Sequence, residues 1–379
     1  MPSLEERLTQ KLGHRKSTNS FRQLHQLSED IDFCSNDYLG LAKEPIIHEE
    51  ISNSYKTVDI RLGATGSRLI SGDSFIYQSV EKYLRKFHKG ESALIFNSGY
   101  DANIGFFSTI PQRGDIILYD ELCHTSIREG IRLSLGKGYS FLHNDLNALC
   151  SKLNQCSGNI FIVVESVYSM DGDLAPLKEL AGLAEEFEAH LVVDEAHSTG
   201  IYGKHGEGLV ALLGLEDKVF ARLHTFGKAM GAHGAAWLGC QLLRDYLINY
   251  CRAFIYTTAL PTYSVAHIQS AYNFLFNNPQ RIEELQYNIQ LFKKLVLENH
   301  IKGFILSDSP IQSCIIPGNK KVKEVTSLLQ KKGFDVRPIL HPTVAEGKER
   351  IRICIHTYNS HDEITQFVDT LKVGILQIS

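Results

Sequence analysis

The chain has 379 residues, of which 43% are apolar and 22% are charged, and its formal net charge is -4 with neutral histidines. This balance is typical of a soluble globular protein that is large enough to bury a core without disulfides or metal ions. Basic residues form only short runs, such as Lys320, Lys321 and Lys323, which disfavours a nucleic-acid track, and no apolar segment approaches the ~20 residues of a transmembrane helix.

The eight cysteines are scattered along the chain, with neither a CxxC pair nor a His/Cys cluster at zinc-ligand spacing. Such a distribution is typical of buried, reduced thiols in a cytoplasmic protein. The first segment, MPSLEERLTQKLGHRK, carries charges of both signs and no apolar core, so it does not resemble a signal peptide. We therefore expect a cytoplasmic protein that binds no metal, no membrane and no nucleic acid.

The predicted elements begin with a helix marked by Leu4, Leu8 and Leu12, within an N-terminal arm of residues 1–40 that ends in DFCSNDYLGLA. In residues 41–278, short apolar runs then alternate with helix-sized segments such as residues 174–189. The runs are SALIFN (92–97), DIILYD (115–120), NIFIVVES (159–166), HLVVDE (190–195) and KVFARLHTF (218–226). This alternation predicts a large α/β domain whose mostly parallel sheet is buried on both faces.

After NNPQ (277–280) the pattern changes. RIEELQYNIQLFKKLVLENH predicts a long amphipathic helix, CIIPG and RIRICIH predict short strands, and HDEITQFVDTLKVGI predicts a last helix. Residues 279–379 are therefore predicted to form a smaller α+β domain.

The letters DEAH at residues 194–197 also name the nucleotide-hydrolysis motif of many helicases. An ATP-driven enzyme of that class needs an upstream GxxxxGK[ST] loop, because backbone amides and a lysine must hold the phosphates. None of the four GK pairs in the chain is followed by Ser or Thr. The sequence therefore disfavours a nucleic-acid-stimulated NTPase.

Asp194 follows one predicted strand, and Lys228 in HTFGKAMGAHG follows the next one, 34 residues later. Ligands of open α/β sheets bind at the carboxyl ends of strands, so Asp194, His197 and Lys228 could converge. Such a set suits pyridoxal phosphate (PLP), whose carbonyl binds a lysine and whose ring nitrogen pairs with an acid. In FNSGYDAN (96–103), Ser98 and Gly99 open a predicted helix, where they either cap the helix or bind a phosphate.

Several motifs, in order, resemble the α-oxoamine synthases, PLP enzymes of the aspartate-aminotransferase-like fold type I. They are SNDYLGLA (35–42), GATGSRLISG (63–72), FNSGYDAN, ELCHTSIREG (121–130), ESVYSMDGDLAPL (165–177), VVDEAHSTGIYGKHGEG (192–208), TFGKAMGAHGAA (225–236) and ALPTYS (259–264). The resemblance runs from about residue 4 to the end of the chain. It implies a decarboxylating acyltransferase that joins a small amino acid to an acyl thioester of coenzyme A or of an acyl carrier protein.

The resemblance also implies roles for individual residues. Lys228 would hold the cofactor and remove the Cα proton, Asp194 would pair with the ring nitrogen, and His124 would stack on the ring and touch the substrate. The remaining cofactor contacts would be His197, Ser169, Thr225, Gly99 and Tyr100, with Thr257 and Thr258 reaching the phosphate from the neighbouring subunit of a homodimer. The substrate contacts would be Arg352, Thr343, Asn36 and Arg22, where Arg22 is equally compatible with a surface charge on a helix.

GSRLISG resembles the biotin-pathway branch of the family, which condenses L-alanine with a pimeloyl thioester, more than the branches that use glycine or serine. The chain departs from that branch in RPILHPTVAEG (337–347), where Leu340 replaces an arginine and His341 and Ala345 replace prolines. The link from the arm to SNDYLGLA is also shorter, and both departures leave the acyl-chain preference open. Non-catalytic subunits of this fold typically lack the lysine, which is present here as Lys228.

Overall fold

The computed structural model describes residues 2–24, 29–54 and 60–378. Part of the predicted N-terminal arm, residues 25–28, lies outside these ranges. The chain divides into two compact units, which we call the large unit (Asn36–Ser169 and Leu174–Glu283) and the small unit (Met1–Ser35, Met170–Asp173 and Glu284–Ser379). The domain boundaries expected at residues 40 and 278 stay a prediction.

The strands are β1 (Ile31–Asp32), β2 (Ser92–Phe96), β3 (Ile116–Asp120), β4 (Lys137–Phe141), β5 (Ile160–Glu165), β6 (His190–Asp194), β7 (Ala221–Thr225), β8 (Ala235–Gly239), β9 (Ile311–Ile315), β10 (Phe334–Asp335), β11 (Arg337–Ile339) and β12 (Arg350–Cys354). The helices are α1 (Leu4–Ser17), α2 (Pro45–Ser54), α3 (Phe75–Phe87), α4 (Gly99–Thr109), α5 (Thr125–Arg132), α6 (Leu146–Leu153), α7 (Leu177–Glu186), α8 (Leu209–Leu212), α9 (Gln241–Tyr250), α10 (Arg252–Ile255), α11 (Thr262–Asn277), α12 (Gln280–Glu298), α13 (Asn319–Lys331) and α14 (His361–Ile378).

The large unit is built on a seven-stranded sheet in the order β2-β8-β7-β6-β5-β3-β4. Strand β8 runs antiparallel to its neighbours β2 and β7, whereas the pairs from β7 across to β4 are parallel. The prediction of a mostly parallel α/β sheet is thus confirmed. Strands β4 and β8 were not predicted, because KGYSF is largely exposed and AAWLG is a short segment rich in small residues.

Both faces of this sheet are buried, as the continuous apolar runs predict. Successive side chains of a strand point to opposite faces, so Phe161 and Val163 of β5 enter one apolar cluster while Ile162 and Val164 enter another. The first cluster includes residues of α4 and α5, and the second includes residues of α6 and α7. The sheet is therefore held between two helical layers, and its polar strand ends remain as the places where a ligand can bind.

The small unit contains an antiparallel sheet in the order β11-β12-β9 and a parallel pair of β1 with β10. The predicted strands in CIIPG and RIRICIH correspond to β9 and β12, and the predicted helices correspond to α1, α12 and α14. Within the described ranges, no helix is both long enough and apolar enough to cross a membrane.

Candidate active site

The carboxyl ends of three neighbouring parallel strands bring polar side chains together in the large unit. Glu165 at the end of β5 is the register partner of Asp194 at the end of β6, and β7 ends beside them at Thr225. A cavity of about 270 Å³ opens at this edge. Its lining consists of Asn36, Ser98, Gly99, Tyr100, Asn103, His124, Ser126, Glu165, Ser169, Asp194, Ala196, His197, Thr225, Gly227, Lys228, His233 and Gly234.

Most of the predicted site residues lie together in this lining. They are Lys228, Asp194, His197, His124, Ser169, Thr225, Gly99, Tyr100 and Asn36. The fold therefore brings the widely spaced sequence motifs to a single cavity within the large unit.

Asp194 is a buried carboxylate that is oriented by two donors. The Nδ2 of Asn103 donates to Asp194 Oδ2 at 2.9 Å, and the backbone N–H of Ala196 donates to Asp194 Oδ1 at 2.9 Å. The same Asn103 amide donates to the Ser126 hydroxyl at 3.0 Å. These bonds hold the carboxylate at the cavity wall, where it can accept a hydrogen bond from a protonated ring nitrogen.

His197 is fixed by a tyrosine that sequence reasoning missed. The hydroxyl of Tyr38 lies 2.9 Å from His197 Nδ1 and donates to Asn36 Oδ1 at 3.0 Å. The Tyr38 side chain is fully buried. Tyr38 belongs to the SNDYLGLA motif, so the motif marked the segment, but its pattern did not distinguish this tyrosine from an ordinary core residue.

The N-terminus of α4 forms one side of the cavity. Ser98 is its N-cap and accepts a hydrogen bond from the Asp101 N–H at 3.1 Å, so the capping role is present. A Cβ atom on Gly99 would lie only 2.6 Å from Thr225 Cγ2, so glycine is needed for this close approach. Unpaired N–H groups at a helix start attract anions, and this part of the lining therefore also suits a phosphate.

His124 is the N-cap of α5, and its ring faces the cavity with one nitrogen engaged. Its Nδ1 lies 2.7 Å from the Ser126 hydroxyl. Burial lowers the pKa of His124, and the positive charge of Lys228 acts in the same direction against an opposing effect of Asp194. The imidazole is therefore favoured in its neutral form, which suits stacking on a ring.

Glu165 lines the cavity and was missed by sequence reasoning. It is 3% exposed, and its carboxylate accepts hydrogen bonds from the backbone N–H groups of His124 and Ser169. Burial raises the pKa of Glu165 to about 8, and the neighbouring Asp194 acts in the same direction. One sequence signal could have indicated Glu165: VVES and VVDE each end an apolar run with an acidic residue. If the two strands are neighbours, this pattern places two carboxyl groups at one edge of the sheet.

Lys228 lies in the tight loop that follows β7. Its backbone carbonyl accepts the N–H of Gly231 at 2.8 Å, and Gly231 adopts a φ of 60°. A Cβ atom on Gly231 would lie 2.2 Å from the backbone N of Ala42, so the loop requires glycine there. The lysine is half-buried and its side chain lines the cavity.

The other predicted contacts lie outside this lining. Asn97 Nδ2 donates to the Thr257 hydroxyl at 3.0 Å and to the Thr258 carbonyl at 2.7 Å, within the same chain. In the small unit, Arg22 Nη2 donates to the Thr343 hydroxyl at 3.0 Å.

Arg22 lies beyond the end of α1 at Ser17, so the helix part of the surface-charge interpretation is wrong, while the side chain is exposed. Arg352 lies on β12 and donates to Cys354 Sγ at 3.0 Å.

Glu195, the second acid of DEAH, points away from the cavity. It is fully buried and accepts hydrogen bonds from the Ser198 hydroxyl and from the Val210 N–H, each at 2.9 Å. Burial raises its pKa. The neighbouring acids of this motif thus have different surroundings, and only Asp194 faces a ligand space.

The family model described as Aminotransferase class I and II matches residues 28–371. An 8-amino-7-oxononanoate synthase of Emericella nidulans is 39% identical, with 97% of this chain and 95% of that protein covered. A protein of the same description from Lysinibacillus sphaericus is 33% identical, with 97% and 94% covered.

Solved structures give the same picture of the fold. An 8-amino-7-oxononanoate synthase of Francisella tularensis matches with a TM-score of 0.78 and 28% identity, covering 92% of this chain and 98% of its own. A serine palmitoyltransferase of S. paucimobilis with bound PLP matches with a TM-score of 0.92 over 100% and 99% of the two chains. At 23% identity, that second likeness shows the fold alone.

Proposed function

The chain belongs to the aminotransferase class I and II family and resembles the α-oxoamine synthases, and on that basis we propose its reaction. It condenses L-alanine with a pimeloyl thioester to give 8-amino-7-oxononanoate, CO2 and the free thiol, as a PLP-dependent acyltransferase of biotin biosynthesis. The observation that carries the proposal is the cavity in which Lys228, Asp194, His197 and His124 meet, in a chain similar over nearly its full length to proteins of that description.

The residues of the cavity fit PLP. The cavity is lined by Asp194 with its two hydrogen-bond donors, by the half-buried Lys228 and by the neutral imidazole of His124. Its wall also includes the N-terminus of α4. PLP, when bound, accepts the electron pair that is left at the amino-acid Cα when a proton or CO2 departs. The protein has to supply the groups that bind, orient and move protons around it.

Lys228 has two tasks in this proposal. Its Nζ would hold the cofactor in the absence of substrate, and its free amine would take the proton from the amino-acid Cα. An amine accepts a proton only in its uncharged form, which burial of the side chain favours. The tight loop at Gly231 limits how far the lysine backbone can move between these tasks.

Asp194 and His124 act on the cofactor ring from the cavity wall. Asp194 would accept the ring N–H, which keeps the cofactor ring an electron sink. The neutral ring of His124 stacks on the cofactor and contacts the substrate. His197 would contact the phenolic oxygen. The Tyr38 hydroxyl donates its proton to Asn36, so it accepts one from His197 Nδ1, and this bond fixes the orientation of the imidazole.

The remaining proposed contacts hold the phosphate and the substrate. Ser169, Thr225 and the backbone at Gly99 and Tyr100 bind the cofactor. The substrate residues are Asn36, Arg352, Thr343 and Arg22, of which Arg352 clamps the α-carboxylate through its planar guanidinium.

We further propose a cytoplasmic homodimer in which Thr257 and Thr258 serve the partner's phosphate site. In the large unit, the segments around Gly66 and Ala259 are joined by a hydrogen bond from the Ala259 N–H to the Gly66 carbonyl at 3.0 Å. Large apolar side chains on these two segments are exposed. Among them, Ile70 is 85% exposed and Tyr256 is 77% exposed. We propose that these side chains belong to the interface of the dimer, because contiguous exposed apolar surface typically marks one. The eight cysteines are free, four of them buried and four partly buried rather than all buried as predicted, and free thiols are the usual form in the cytoplasm.

The alternative is a sister enzyme that uses glycine or serine. Purified protein with PLP is incubated with each of alanine, glycine and serine, and with pimeloyl groups on coenzyme A or on acyl carrier protein, and products are identified by mass spectrometry. We expect the alanine product and CO2, and no product from Lys228→Ala. A product from glycine or serine alone contradicts the proposed substrate.

A further inference from the structure

Glu165 is a second acid on the wall of the cavity, and the proposed roles leave it without a function. It is the register partner of Asp194, and paired residues of neighbouring strands present their side chains to the same face about 5 Å apart. Two carboxyl groups at this spacing repel each other when both are ionised, and burial increases the cost. A protein retains such a pair where the second acid has a use.

The contacts of Glu165 indicate that use. Its carboxylate accepts the backbone N–H of His124, which opens α5, and the backbone N–H of Ser169, which follows β5. His124 and Ser169 belong to separate loops, and both line the cavity. Glu165 is therefore a single side chain that ties together two loops bearing groups proposed to face the cofactor.

We propose that Glu165 is a positioning residue of this site, which fixes the loops of His124 and Ser169 and places a titratable carboxyl beside Asp194 and Lys228. The inference deepens the proposed PLP site and rests on it. The charged groups that act on Glu165 are Asp194 on β6 and Lys228 in the loop after β7.

The other titratable groups around Glu165 are neutral at pH 7. They are the His124 imidazole, whose pKa burial lowers, and the Cys123 thiol and the Tyr168 phenol, whose pKa values burial raises. Asp120 also acts on Cys123 and Tyr168 and adds negative charge on that side.

This arrangement has a consequence for the bound cofactor. With a pKa of about 8, the Glu165 carboxyl is mostly protonated at pH 7 and negative above pH 8. A negative charge facing Lys228 would favour positive charge on its Nζ when that nitrogen holds the cofactor. Glu165→Gln removes a charge that is present only above about pH 8, so an absorbance midpoint in that range is expected to fall by about 1 pH unit relative to the wild type.

The Gln variant also changes the hydrogen bonds. A glutamine side chain replaces one carboxylate oxygen with an NH2 group, so a backbone N–H that donated to that oxygen loses its acceptor. We expect hydrogen exchange at the His124 or the Ser169 amide to accelerate by about tenfold in cofactor-free protein. Glu165→Asp keeps the charge but is one methylene shorter, so it is expected to accelerate exchange while retaining an inflection near the wild-type midpoint.

The matched control is Glu195→Gln. Glu195 is an equally buried acid that follows β6 and accepts a backbone N–H, but it lies outside the cavity lining. This variant is expected to lower stability while leaving the absorbance midpoint and the exchange of the His124 and Ser169 amides unchanged.

An unshifted midpoint together with wild-type exchange in Glu165→Gln would overturn the inference, and so would an equal shift in Glu195→Gln. If Glu165→Gln does not fold, Glu165→Asp decides, because wild-type exchange in that variant refutes the positioning role. Neither readout requires alanine or a thioester, so a failed product assay would leave this inference standing. The exchange measurement requires no cofactor at all.

Discussion

Replacing Asn103 with alanine tests whether the carboxylate of Asp194 must be held in place for the cofactor to bind. The Asn103 amide donates to Asp194 at 2.9 Å and to Ser126 at 3.0 Å, and the residue is 2% exposed. A hydrogen bond to a charged group is worth about 1.5–3 kcal/mol and a neutral one about 0.5–1.5 kcal/mol. We therefore expect the free energy of unfolding of Asn103→Ala to fall by about 2–4 kcal/mol.

The effect on the cofactor is separate from the effect on stability. With one donor gone, the Asp194 carboxylate can turn away from the ring nitrogen, and a loss of about 1.4 kcal/mol of binding free energy corresponds to a tenfold higher Kd. Titration of cofactor-free protein with PLP, followed by visible absorbance, measures this Kd.

Asn288→Ala is the control, since Asn288 is 5% exposed and donates to two carbonyls of the small unit. It should be destabilised by about 1–3 kcal/mol, from the loss of two neutral hydrogen bonds, and keep the wild-type Kd. An unchanged Kd in Asn103→Ala, with stability lowered, would refute the reasoning.

Three further changes give distinct outcomes. Gly99→Val places a Cβ 2.6 Å from Thr225 Cγ2, so the affinity for PLP should fall at least ~10-fold. Pyridoxal, which has no phosphate, should bind as before. Equal losses of affinity for the two compounds would contradict a phosphate site at Gly99. Tyr38→Phe leaves a buried imidazole nitrogen without its hydroxyl and should lower the free energy of unfolding by about 1–3 kcal/mol, measured by urea denaturation; a neutral effect argues against the bond. Burial alone would raise the pKa of Asp32, but a nearby imidazole and backbone donors lower it to about 2. The ionised Asp32 therefore stabilises the folded protein above pH 3.8, and this stabilisation is lost as the pH falls through 2. In Asp32→Asn that part of the acid-unfolding profile should disappear, and an unchanged profile from pH 4 to 2 would contradict the assignment.

Much of the large unit could be predicted from local patterns. The runs that became β2, β3, β5, β6 and β7 are largely buried, and the mainly apolar sequences of most of them suit a sheet that is covered on both faces. The AAWLG segment of β8 lacks such a run, and its place between β2 and β7 follows from the antiparallel partners that flank it. Its strand character is therefore a product of tertiary pairing.

The residues of the site also divide into those that a local motif predicts and those that only the tertiary structure reveals. Lys228, Asp194, His197 and His124 could be proposed from motifs, because each sits in a short segment whose neighbours must also suit the ligand. Glu165 could not be proposed in this way, because the segment ESVYSMDG does not show that β5 lies beside β6 or that Glu165 pairs with Asp194.

The supporting groups were equally hidden from the sequence. Asn103, Tyr38 and the Arg22–Thr343 pair all act across long separations along the chain, the last over 321 residues. A linear pattern records which chemistry a residue can perform and whether its neighbours favour a strand or a helix. Which side chains hold that residue in place depends on distances through space, and those were decided by the order and register of the strands.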